Sequence, residues 1–294
     1  MNSSCAFIGL GVMGGAMAGH LQAKGFATTV YNRTASKAQQ WAAVHAGEVA
    51  LTPREAAQNA DVVLLCVGND DDVRAVVYGA DGVLAGMRAG TVLVDHTTAS
   101  AELARELAAV TKEQGIGFLD APVSGGQAGA ENGVLTAMIG GTREALTAVD
   151  AVLACYCKTR EYMGPAGYGQ LAKMVNQVCI AGVVQGLAEG LQLARKVGLD
   201  ADTLVRCISQ GAAGSWQMQN RYRSMWDNHY NHGFAVDWMR KDLAIVLNEA
   251  QRQGVSMPLT ALVDQFYAEV QKMGGSRWDT SSLLARLERD ESNA

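Results

Sequence analysis

Near its amino terminus the 294-residue chain carries the segment Cys5-Ala6-Phe7-Ile8-Gly9-Leu10-Gly11-Val12-Met13-Gly14. The apolar residues predict a buried strand over residues 5–9, and the glycines match Gly-x-Gly-x-x-Gly between a strand and a helix. In this arrangement Gly9 permits the tight turn, Gly11 leaves space for a pyrophosphate, and Gly14 lets the helix pack closely on the strand. The N–H groups that begin the helix then face the phosphates. The segment therefore predicts a dinucleotide-binding turn, with a plain glycine turn as the alternative.

Outward from this turn, short β-rich runs alternate with longer Ala-rich stretches of helical period. The predicted strands are residues 5–9, 28–31, 62–67, 92–95 and 117–121, and the predicted helices are residues 14–24, 36–43, 53–59, 71–78 and 101–113. Strands that alternate with helices in this way are typical of βαβ units. We expect an α/β domain with a mostly parallel, doubly wound sheet over residues 1–163.

The second half of the chain has a different pattern. Residues 170–197 form one uninterrupted helical stretch, and residues 201–210, 237–253 and 259–272 also have helical length and period. No strand signal is evident after residue 169. We expect residues 164–294 to form an all-α domain that opens with a long helix.

Composition excludes several classes of partner. The formal net charge is -5, and no Lys/Arg-rich run offers a surface for nucleic acid or an anionic membrane. The longest uncharged apolar stretch, residues 175–187, is shorter than the ~20 residues of a membrane span, and no basic leader is evident. The six cysteines lack the spacing of a zinc site, so no metal is expected. We expect a cytoplasmic protein.

The end of the second strand bears on the choice of cofactor. An acidic residue there would accept hydrogen bonds from the adenosine ribose of NAD. The chain instead reads Tyr31-Asn32-Arg33-Thr34, in which a guanidinium with neighbouring Asn and Thr donors suits a 2′-phosphate and no carboxylate repels one. The segment favours NADP over NAD, with Arg33 as a solvated surface charge the alternative.

Two further strand ends lie where ligands bind in an open sheet, at its carboxyl edge. Residues 66–69 and 95–98 could line the nicotinamide half of the cofactor, and they include Val67 and Thr97. His96 lies one residue beyond a strand end, where a histidine is more often a hydrogen-bonded structural group than a catalytic one.

Two later segments carry candidate chemistry. In Asp120-Ala121-Pro122-Val123-Ser124-Gly125-Gly126 a strand ends in a glycine turn that offers a hydroxyl and backbone N–H groups to a small carboxylate, or that is an ordinary turn. Downstream, Lys173 and Asn176 lie at i and i+3 on one face of the long helix. Apolar neighbours would partly desolvate Lys173, lower its pKa and allow proton exchange near neutral pH; a surface lysine is the alternative.

In order along the chain, these segments resemble the β-hydroxyacid dehydrogenase family. The resemblance rests on residues 9–14, 120–126 and 167–176, and on Lys241-Asp242-Leu243 following Gly233-Phe234. It implies an N-terminal Rossmann domain, a long interdomain helix, an all-α C-terminal domain and a homodimer or homotetramer.

The resemblance also assigns roles to individual residues. Lys173 matches the catalytic lysine, Thr97 a cofactor-contacting position, and Lys241 the lysine that reaches the cofactor from the second domain. The predicted substrate residues are Ser124, Gly125, Gly126 and Asn176. The predicted cofactor residues are Gly9, Gly11, Val12, Met13, Gly14, Asn32, Arg33, Thr34, Val67, Thr97 and Lys241.

The function expected from these residues is an oxidoreductase that prefers NADP(H), with NAD(H) possible. It would interconvert a small carboxylate-bearing aldehyde and the corresponding hydroxy acid by hydride transfer, with Lys173 as general acid and base. One alternative is an NAD-dependent 3-hydroxyisobutyrate or serine-type dehydrogenase. The other is a catalytically silent dinucleotide sensor, although a silent protein has no chemical need of Lys173, Ser124 and Asn176 together.

Overall fold

The computed structural model describes residues 3–292, so residues 1, 2, 293 and 294 at the ends of the two predicted domains lie outside the described residues. Contacts within the chain divide it into two compact units. The first extends to Lys173 and the second begins at Met174.

The first unit alternates strands and helices. Its strands are β1 (Cys5–Ile8), β2 (Thr28–Tyr31), β3 (Glu48–Val49), β4 (Val62–Leu65), β5 (Val92–Asp95), β6 (Gly117–Asp120), β7 (Val123–Ser124), β8 (Leu135–Gly141) and β9 (Cys157–Gly164). Its helices are α1 (Val12–Ala23), α2 (Ala35–His45), α3 (Pro53–Ala57), α4 (Asp70–Val77), α5 (Val83–Gly86), α6 (Ala101–Glu113), α7 (Gly126–Glu131) and α8 (Arg143–Leu153), followed by the start of α9 (Tyr168–Lys196).

Six neighbouring strands of the sheet are parallel, in the order β3-β2-β1-β4-β5-β6. The chain runs outward from β1 to β3 and then returns to β4 beside β1, so the sheet is doubly wound and reverses direction between these two strands. Beyond β6, strand β8 is antiparallel to β6 and β7, and β9 pairs in parallel with β8. The expected doubly wound, mostly parallel sheet is confirmed.

The central strands are buried on both faces. Phe7, Leu64 and Val94 pack into the core on one side of the sheet, together with helices α1 and α8. Ile8 and Leu65 point to the opposite core, because successive residues of a strand face opposite sides. Helices on both faces keep these strands out of water, which explains their continuous apolar runs.

In the first unit, four strands and the helices α5, α7 and α8 were not expected from the sequence. Strands β3 and β7 have two residues each, which is too short to give a periodic signal. Strand β8 ends in Gly140-Gly141, and β9 carries Lys158, Arg160 and Glu161. Glycine weakens strand propensity and charges are typical of strands at sheet edges, so neither strand reads as a buried apolar run.

The second unit is helical. It contains the rest of α9, then α10 (Ala201–Ile208), α11 (Trp216–Trp226), α12 (Val236–Gln253), α13 (Pro258–Lys272), a short 3-10 helix (Thr280–Ser282) and α14 (Leu283–Ser292). Its core joins Leu187 and Leu191 of α9 to Leu243 of α12 and to Val263 and Tyr267 of α13. The expected long helix and the helical unit after it are confirmed.

Among residues 3–292, helix α9 alone has the length and apolar composition of a membrane span. The core helix of a soluble protein passes the same test, so this finding is weak evidence for a membrane. Lys173, Gln177 and Gln185 are polar residues of α9 that are buried inside the protein, and they make hydrogen bonds there.

Candidate active site

The glycine turn follows β1 and leads into α1. Gly9 has φ +98°, and a Cβ atom there would overlap the carbonyl oxygen of Cys66. A Cβ atom at Gly14 would overlap the carbonyl oxygen of Gly9. The packing of the turn itself therefore requires glycine at both positions.

Gly11 differs, because a Cβ atom there would meet nothing within 4 Å. Its φ of -69° is an ordinary value for any residue. The first hydrogen bond of α1 runs from the N–H of Gly15 to the carbonyl of Gly11 (3.0 Å), so the N–H groups of Val12 and Met13 precede the helical bonds. The open space at Gly11, next to these donors in the chain, fits the close approach of a dinucleotide's phosphates.

Asn32 supports the turn from the end of β2. Its Oδ1 accepts a hydrogen bond from the N–H of Leu10 (2.9 Å), and its Nδ2 donates to the carbonyl of Thr34 (3.0 Å). The Asn32 side chain therefore braces the glycine turn. Its role as a donor to a 2′-phosphate stays a prediction, because the second N–H of Nδ2 is not used in these bonds.

Arg33 is exposed and makes an ion pair with a carboxylate. Its Nη1 lies 3.1 Å from Oδ1 of Asp72, in the first turn of α4. Segment 31–34 itself contains no carboxylate, but it does not show that Asp72, from a later part of the chain, folds beside this guanidinium. Thr34 precedes α2 as its N-cap residue and is also exposed.

Val67 and Thr97 join the ends of two neighbouring strands. The N–H of Val67 donates to Oγ1 of Thr97 (3.1 Å), and the N–H of Thr97 donates to Oδ1 of Asp95 (2.9 Å). Burial raises the pKa of Asp95 to about 7, against the opposing effect of its hydrogen bonds from Thr97. These bonds fix the carboxyl ends of β4 and β5 at the edge where α/β sheets bind ligands.

His96 is a structural residue, as the sequence indicated. Its Nδ1 lies 2.6 Å from the carbonyl oxygen of Ala121 and its Nε2 lies 2.8 Å from the hydroxyl of Tyr156. Burial lowers the pKa of His96 to about 4, so the ring is neutral at physiological pH.

Asp120, the last residue of β6, fastens the start of α9. Its Oδ1 accepts from the N–H of Gly167 (2.8 Å) and its Oδ2 from the N–H of Gln170 (2.9 Å). Burial raises the pKa of Asp120 to about 6, although these backbone bonds lower it. The Gln170 side chain accepts from the N–H of Ala99 (3.0 Å) and donates to the carbonyl of Thr97 (2.7 Å). The first turn of α9 is thereby tied to the carboxyl ends of β5 and β6.

This fastening places Lys173, one turn into the helix. The side chain is 7% exposed, and Nζ donates to the carbonyl of Val123 (3.0 Å). Val123 leads into Ser124, Gly125 and Gly126, of which Gly125 has φ +131° and Gly126 has φ +61°. The structure thus brings the predicted catalytic lysine to the predicted carboxylate loop.

In the second unit, Asn176 and Lys241 belong to one group of side chains. Asn176 donates to Gln177 (2.8 Å), Gln177 donates to Asp242 (2.6 Å), and Lys241 Nζ lies 3.0 Å from Asp242 Oδ1. Sequence reasoning missed Gln177, Gln170 and the role of Asp120. The sequence did contain a signal for these residues, because Asp120 is a lone acidic residue at the end of a predicted strand and Gln170 and Gln177 are amides close to Lys173.

Residues 3–292 include no group of three or more His, Cys, Asp and Glu side chains that could hold a metal ion. Cys5 and Cys157 are buried, but Cys179 and Cys207 are exposed, so the thiols are not uniformly core residues.

Two family models together cover almost the whole chain. Residues 4–164 match the NAD-binding domain of 6-phosphogluconate dehydrogenase. Residues 167–287 match the NAD-binding region of NADP-dependent 3-hydroxyisobutyrate dehydrogenase. The chain belongs to the β-hydroxyacid dehydrogenase family. As a member of this family it is an NAD(P)-dependent dehydrogenase, and its cofactor is a nicotinamide dinucleotide.

Individual β-hydroxyacid dehydrogenase relatives match over most or all of their lengths. An uncharacterized oxidoreductase of Shewanella frigidimarina is 61% identical, over 98% of this chain and 99% of the relative. A probable mitochondrial 3-hydroxyisobutyrate dehydrogenase-like 1 of Arabidopsis thaliana is 41% identical, over 98% of this chain and 86% of the relative. The solved structure of Mycobacterium tuberculosis 3-hydroxyisobutyrate dehydrogenase with L-serine is 31% identical, has a TM-score of 0.87, and is matched over 98% of this chain and 99% of that one.

Proposed function

We propose that this β-hydroxyacid dehydrogenase interconverts a small carboxylate-bearing aldehyde and its hydroxy acid, with NADP(H) as the preferred cofactor and Lys173 as the general acid and base. The observation that carries the proposal is the buried ammonium of Lys173, which is held 3.0 Å from the carbonyl of Val123 beside Ser124, Gly125 and Gly126. A charged group is costly to bury, so its position next to an exposed glycine loop needs a chemical reason.

The chain's own residues supply binding and proton transfer. The Ser124 hydroxyl and the N–H groups of Gly125 and Gly126 bind the substrate carboxylate. Lys173 donates a proton to the carbonyl oxygen during reduction and removes it from the hydroxyl during oxidation. Asn176, one turn later on α9, orients the same oxygen. The nicotinamide, when bound, gives or takes the hydride.

The preference for NADP(H) rests on Arg33. Its guanidinium is 86% exposed, and its pair with Asp72 is a single contact of 3.1 Å at the surface. Such an exposed pair contributes only about 0–1 kcal/mol, whereas a phosphate offers a guanidinium two charge-assisted hydrogen bonds. A 2′-phosphate can therefore replace Asp72 as the partner of Arg33.

A substrate panel tests the proposal. With NADPH and with NADH, it would cover glyoxylate and the semialdehydes of succinate, tartronate and methylmalonate, and in the other direction 3-hydroxyisobutyrate and serine. We expect faster reduction with NADPH. Oxidation of 3-hydroxyisobutyrate or serine is the second candidate, because the similar M. tuberculosis enzyme was solved with L-serine. Cofactor binding without turnover of any compound would instead indicate a dinucleotide sensor.

Lys173→Ala is the variant that tests the chemistry. We expect kcat to fall about 100- to 10,000-fold, because a positioned acid or base contributes on that scale. The Kd for NADPH, measured by fluorescence titration, should stay within about threefold of wild type, since a nucleotide site at the glycine turn does not use this side chain. Lys37→Ala, at an exposed position of α2, is the control and should leave both constants unchanged. Unaltered turnover in Lys173→Ala would contradict the assignment.

We also propose that the enzyme is a homodimer or homotetramer. On the second unit, α9 exposes a row of apolar and small residues, which are Val175, Cys179, Val183, Gly186, Gly190 and Leu193. Contiguous apolar surface of this kind is typical of contact sites between chains.

A further inference from the structure

Four polar side chains of the second unit form one connected series. Asn176 Nδ2 donates to Gln177 Oε1 (2.8 Å), and Gln177 Nε2 donates to Asp242 Oδ2 (2.6 Å). The other carboxylate oxygen, Oδ1, lies 3.0 Å from the ammonium of Lys241. Gln177 and Asp242 are each 2% exposed, so water contributes little to holding either group. The series links two residues that the family resemblance assigns to substrate and cofactor.

The carboxylate of Asp242 determines which atoms donate and which accept hydrogen bonds along this series. An ionised carboxylate can only accept hydrogen bonds, so Gln177 must present its nitrogen to Asp242. The same nitrogen also lies 3.6 Å from the sulfur of Met239, which is a weak acceptor. If the Gln177 amide were flipped, its carbonyl oxygen would face the carboxylate, and both acceptors would lack a donor. The orientation of Gln177 is therefore fixed.

That orientation in turn fixes Asn176. With its nitrogen toward Asp242, Gln177 presents only the acceptor Oε1 to its neighbour, so Asn176 must turn its own nitrogen toward it. The Asn176 side chain is half-buried, and no second orientation of its amide preserves this bond.

We propose that Asp242 and Gln177 are positioning residues that set the orientation of the Asn176 amide. The proposal rests on the proposed function, in which Asn176 orients the reacting oxygen of the substrate. An amide that is already oriented loses no rotational freedom when substrate binds, and it keeps its donor and acceptor in place through the reaction. Asp242 also holds the Lys241 ammonium, so one buried carboxylate serves both side chains.

Exchanging the carboxylate and the amide between positions 242 and 177 tests whether Asp242 determines the donors and acceptors of the series. In Asp242→Asn the carboxylate is lost, Gln177 can flip, and Asn176 loses its fixed partner. In Gln177→Glu two carboxylates face each other. In the double variant, the carboxylate introduced at position 177 accepts from the amide introduced at position 242 and presents its other oxygen to Asn176. The acceptor toward Asn176 is thereby restored.

The kinetic expectations differ among the variants. We expect kcat to fall about 10- to 100-fold in each single variant, the scale of a misplaced orienting group. The double variant should return kcat to within about threefold of wild type. Its KM for the cofactor should stay raised, because Lys241 loses its pairing with the Asp242 carboxylate. A structural role alone would predict no recovery of kcat and no separation of kcat from KM. A double variant as slow as Asp242→Asn would overturn the proposal.

Asp264→Asn is the matched control. Asp264 is 8% exposed, lies in the same unit, and is paired with Arg240 at 3.0 and 3.2 Å. It makes no bond to Gln177 or Asn176 in the series described above. We expect Asp264→Asn to lower Tm and to leave kcat within about twofold of wild type. An equal loss of kcat in this control would mean that any weakened buried carboxylate slows the enzyme, and would also overturn the proposal.

An NMR measurement that does not depend on turnover tests this proposal separately from the proposed function. In protein labelled with ¹⁵N-asparagine, the side-chain amide signal of Asn176 is identified by its absence in Asn176→Asp. We expect the signal to shift in Asp242→Asn and to return in the double variant. If the signal shifts and returns in this way but the enzyme turns over no compound of the panel, then Asp242 sets the orientation of the Asn176 amide and the proposed function fails. If it does not move in Asp242→Asn, the orientation is not set by Asp242, whatever the turnover.

Discussion

The three glycines of the turn after β1 serve different contacts. Gly9 and Gly14 lie against carbonyl oxygens of the chain, whereas Gly11 faces open space. A methyl group at Gly14 forces the backbone apart, but a methyl group at Gly11 disturbs nothing within 4 Å. The packing of the turn therefore does not require glycine at position 11, and we propose that a nucleotide approaching the backbone closely does.

Gly11→Ala should therefore fold normally and bind cofactor poorly. We expect its Tm to stay within about 2 °C of wild type, since φ at this position suits alanine. The Kd for NADPH should rise at least about tenfold, because the added methyl group occupies space that the pyrophosphate needs.

Gly14→Ala is the companion variant, and overpacking should lower its free energy of unfolding by roughly 1–3 kcal/mol. Thermal melts and fluorescence titration of both proteins check the two expectations. Wild-type affinity for NADPH in Gly11→Ala would place the pyrophosphate elsewhere.

Arg33→Ala tests cofactor choice at the scale of one side chain. If Arg33 binds the 2′-phosphate, its loss should raise KM for NADPH about tenfold or more and change KM for NADH by less than about twofold. Asp72→Asn is the control, since it frees the guanidinium from its ion pair and should leave or improve the NADPH preference. Equal changes in the KM values for NADPH and NADH would show that Arg33 does not bind the 2′-phosphate.

At the scale of elements, the sequence predicted the long helix and five of the six neighbouring parallel strands, but not β3 or the end of the sheet beyond β6. Strands β1, β4 and β5 are buried on both faces, so their composition alone identifies them. After its buried first residue, strand β9 contains only partly buried and exposed residues and carries charges, and its partner β8 ends in two glycines, which weaken strand propensity. Pairing between such strands depends on the rest of the sheet.

The candidate site shows the same limit. Lys173 and the loop at Ser124, which the structure brings together, could be singled out from the sequence because each carries its candidate chemistry within a short segment. The bond between Gln177 and Asp242 joins positions 65 residues apart, and the pair of Arg33 and Asp72 joins positions 39 apart. No local pattern encodes which helix faces meet, so these partners emerged only from the packing of complete elements.

The carboxyl ends of β5 and β6 make stability depend on pH. Burial raises the pKa of Asp95 to about 7 and that of Asp120 to about 6, whereas an aspartate of an unfolded chain titrates near 4. Between pH ~4 and ~7 these two groups thus bind more protons in the folded protein than in the unfolded chain, and their contribution to the free energy of unfolding falls as pH rises. Each pKa unit of one group contributes about 1.4 kcal/mol.

Asp95→Asn removes one of these contributions. Relative to wild type, we expect the variant to gain at least about 1 kcal/mol of unfolding free energy between pH 5 and pH 8. Urea unfolding at both pH values measures this difference. The neutral His96 has the opposite pH dependence, but it is present in both proteins and cancels. A difference that does not change with pH would mean that Asp95 is already ionised at pH 5.

At the scale of the whole molecule, the exposed row on α9 bears on assembly. Val183 is 40% exposed in the middle of this row. If the row contacts a second copy, Val183→Glu should bury a charge at that contact and shift the mass measured by light scattering toward the 31.0 kDa of one chain. Val44→Glu, at a residue 77% exposed on α2, is the control and should not change the mass. A wild-type mass in Val183→Glu would place the contact on another face.

The bonds of Asp120 with Gly167 and Gln170 bear on how such enzymes can be divided and recombined. A fragment that stopped at residue 164, where the first matching family model ends, would leave the Asp120 carboxylate inside the sheet without these two backbone donors. The nucleotide-binding half would then lose two of the donors that offset the cost of burying this carboxylate. Chimeras that exchange halves between relatives therefore need their junction inside the long helix, after Lys173, so that each half keeps the hydrogen bonds with which it folds.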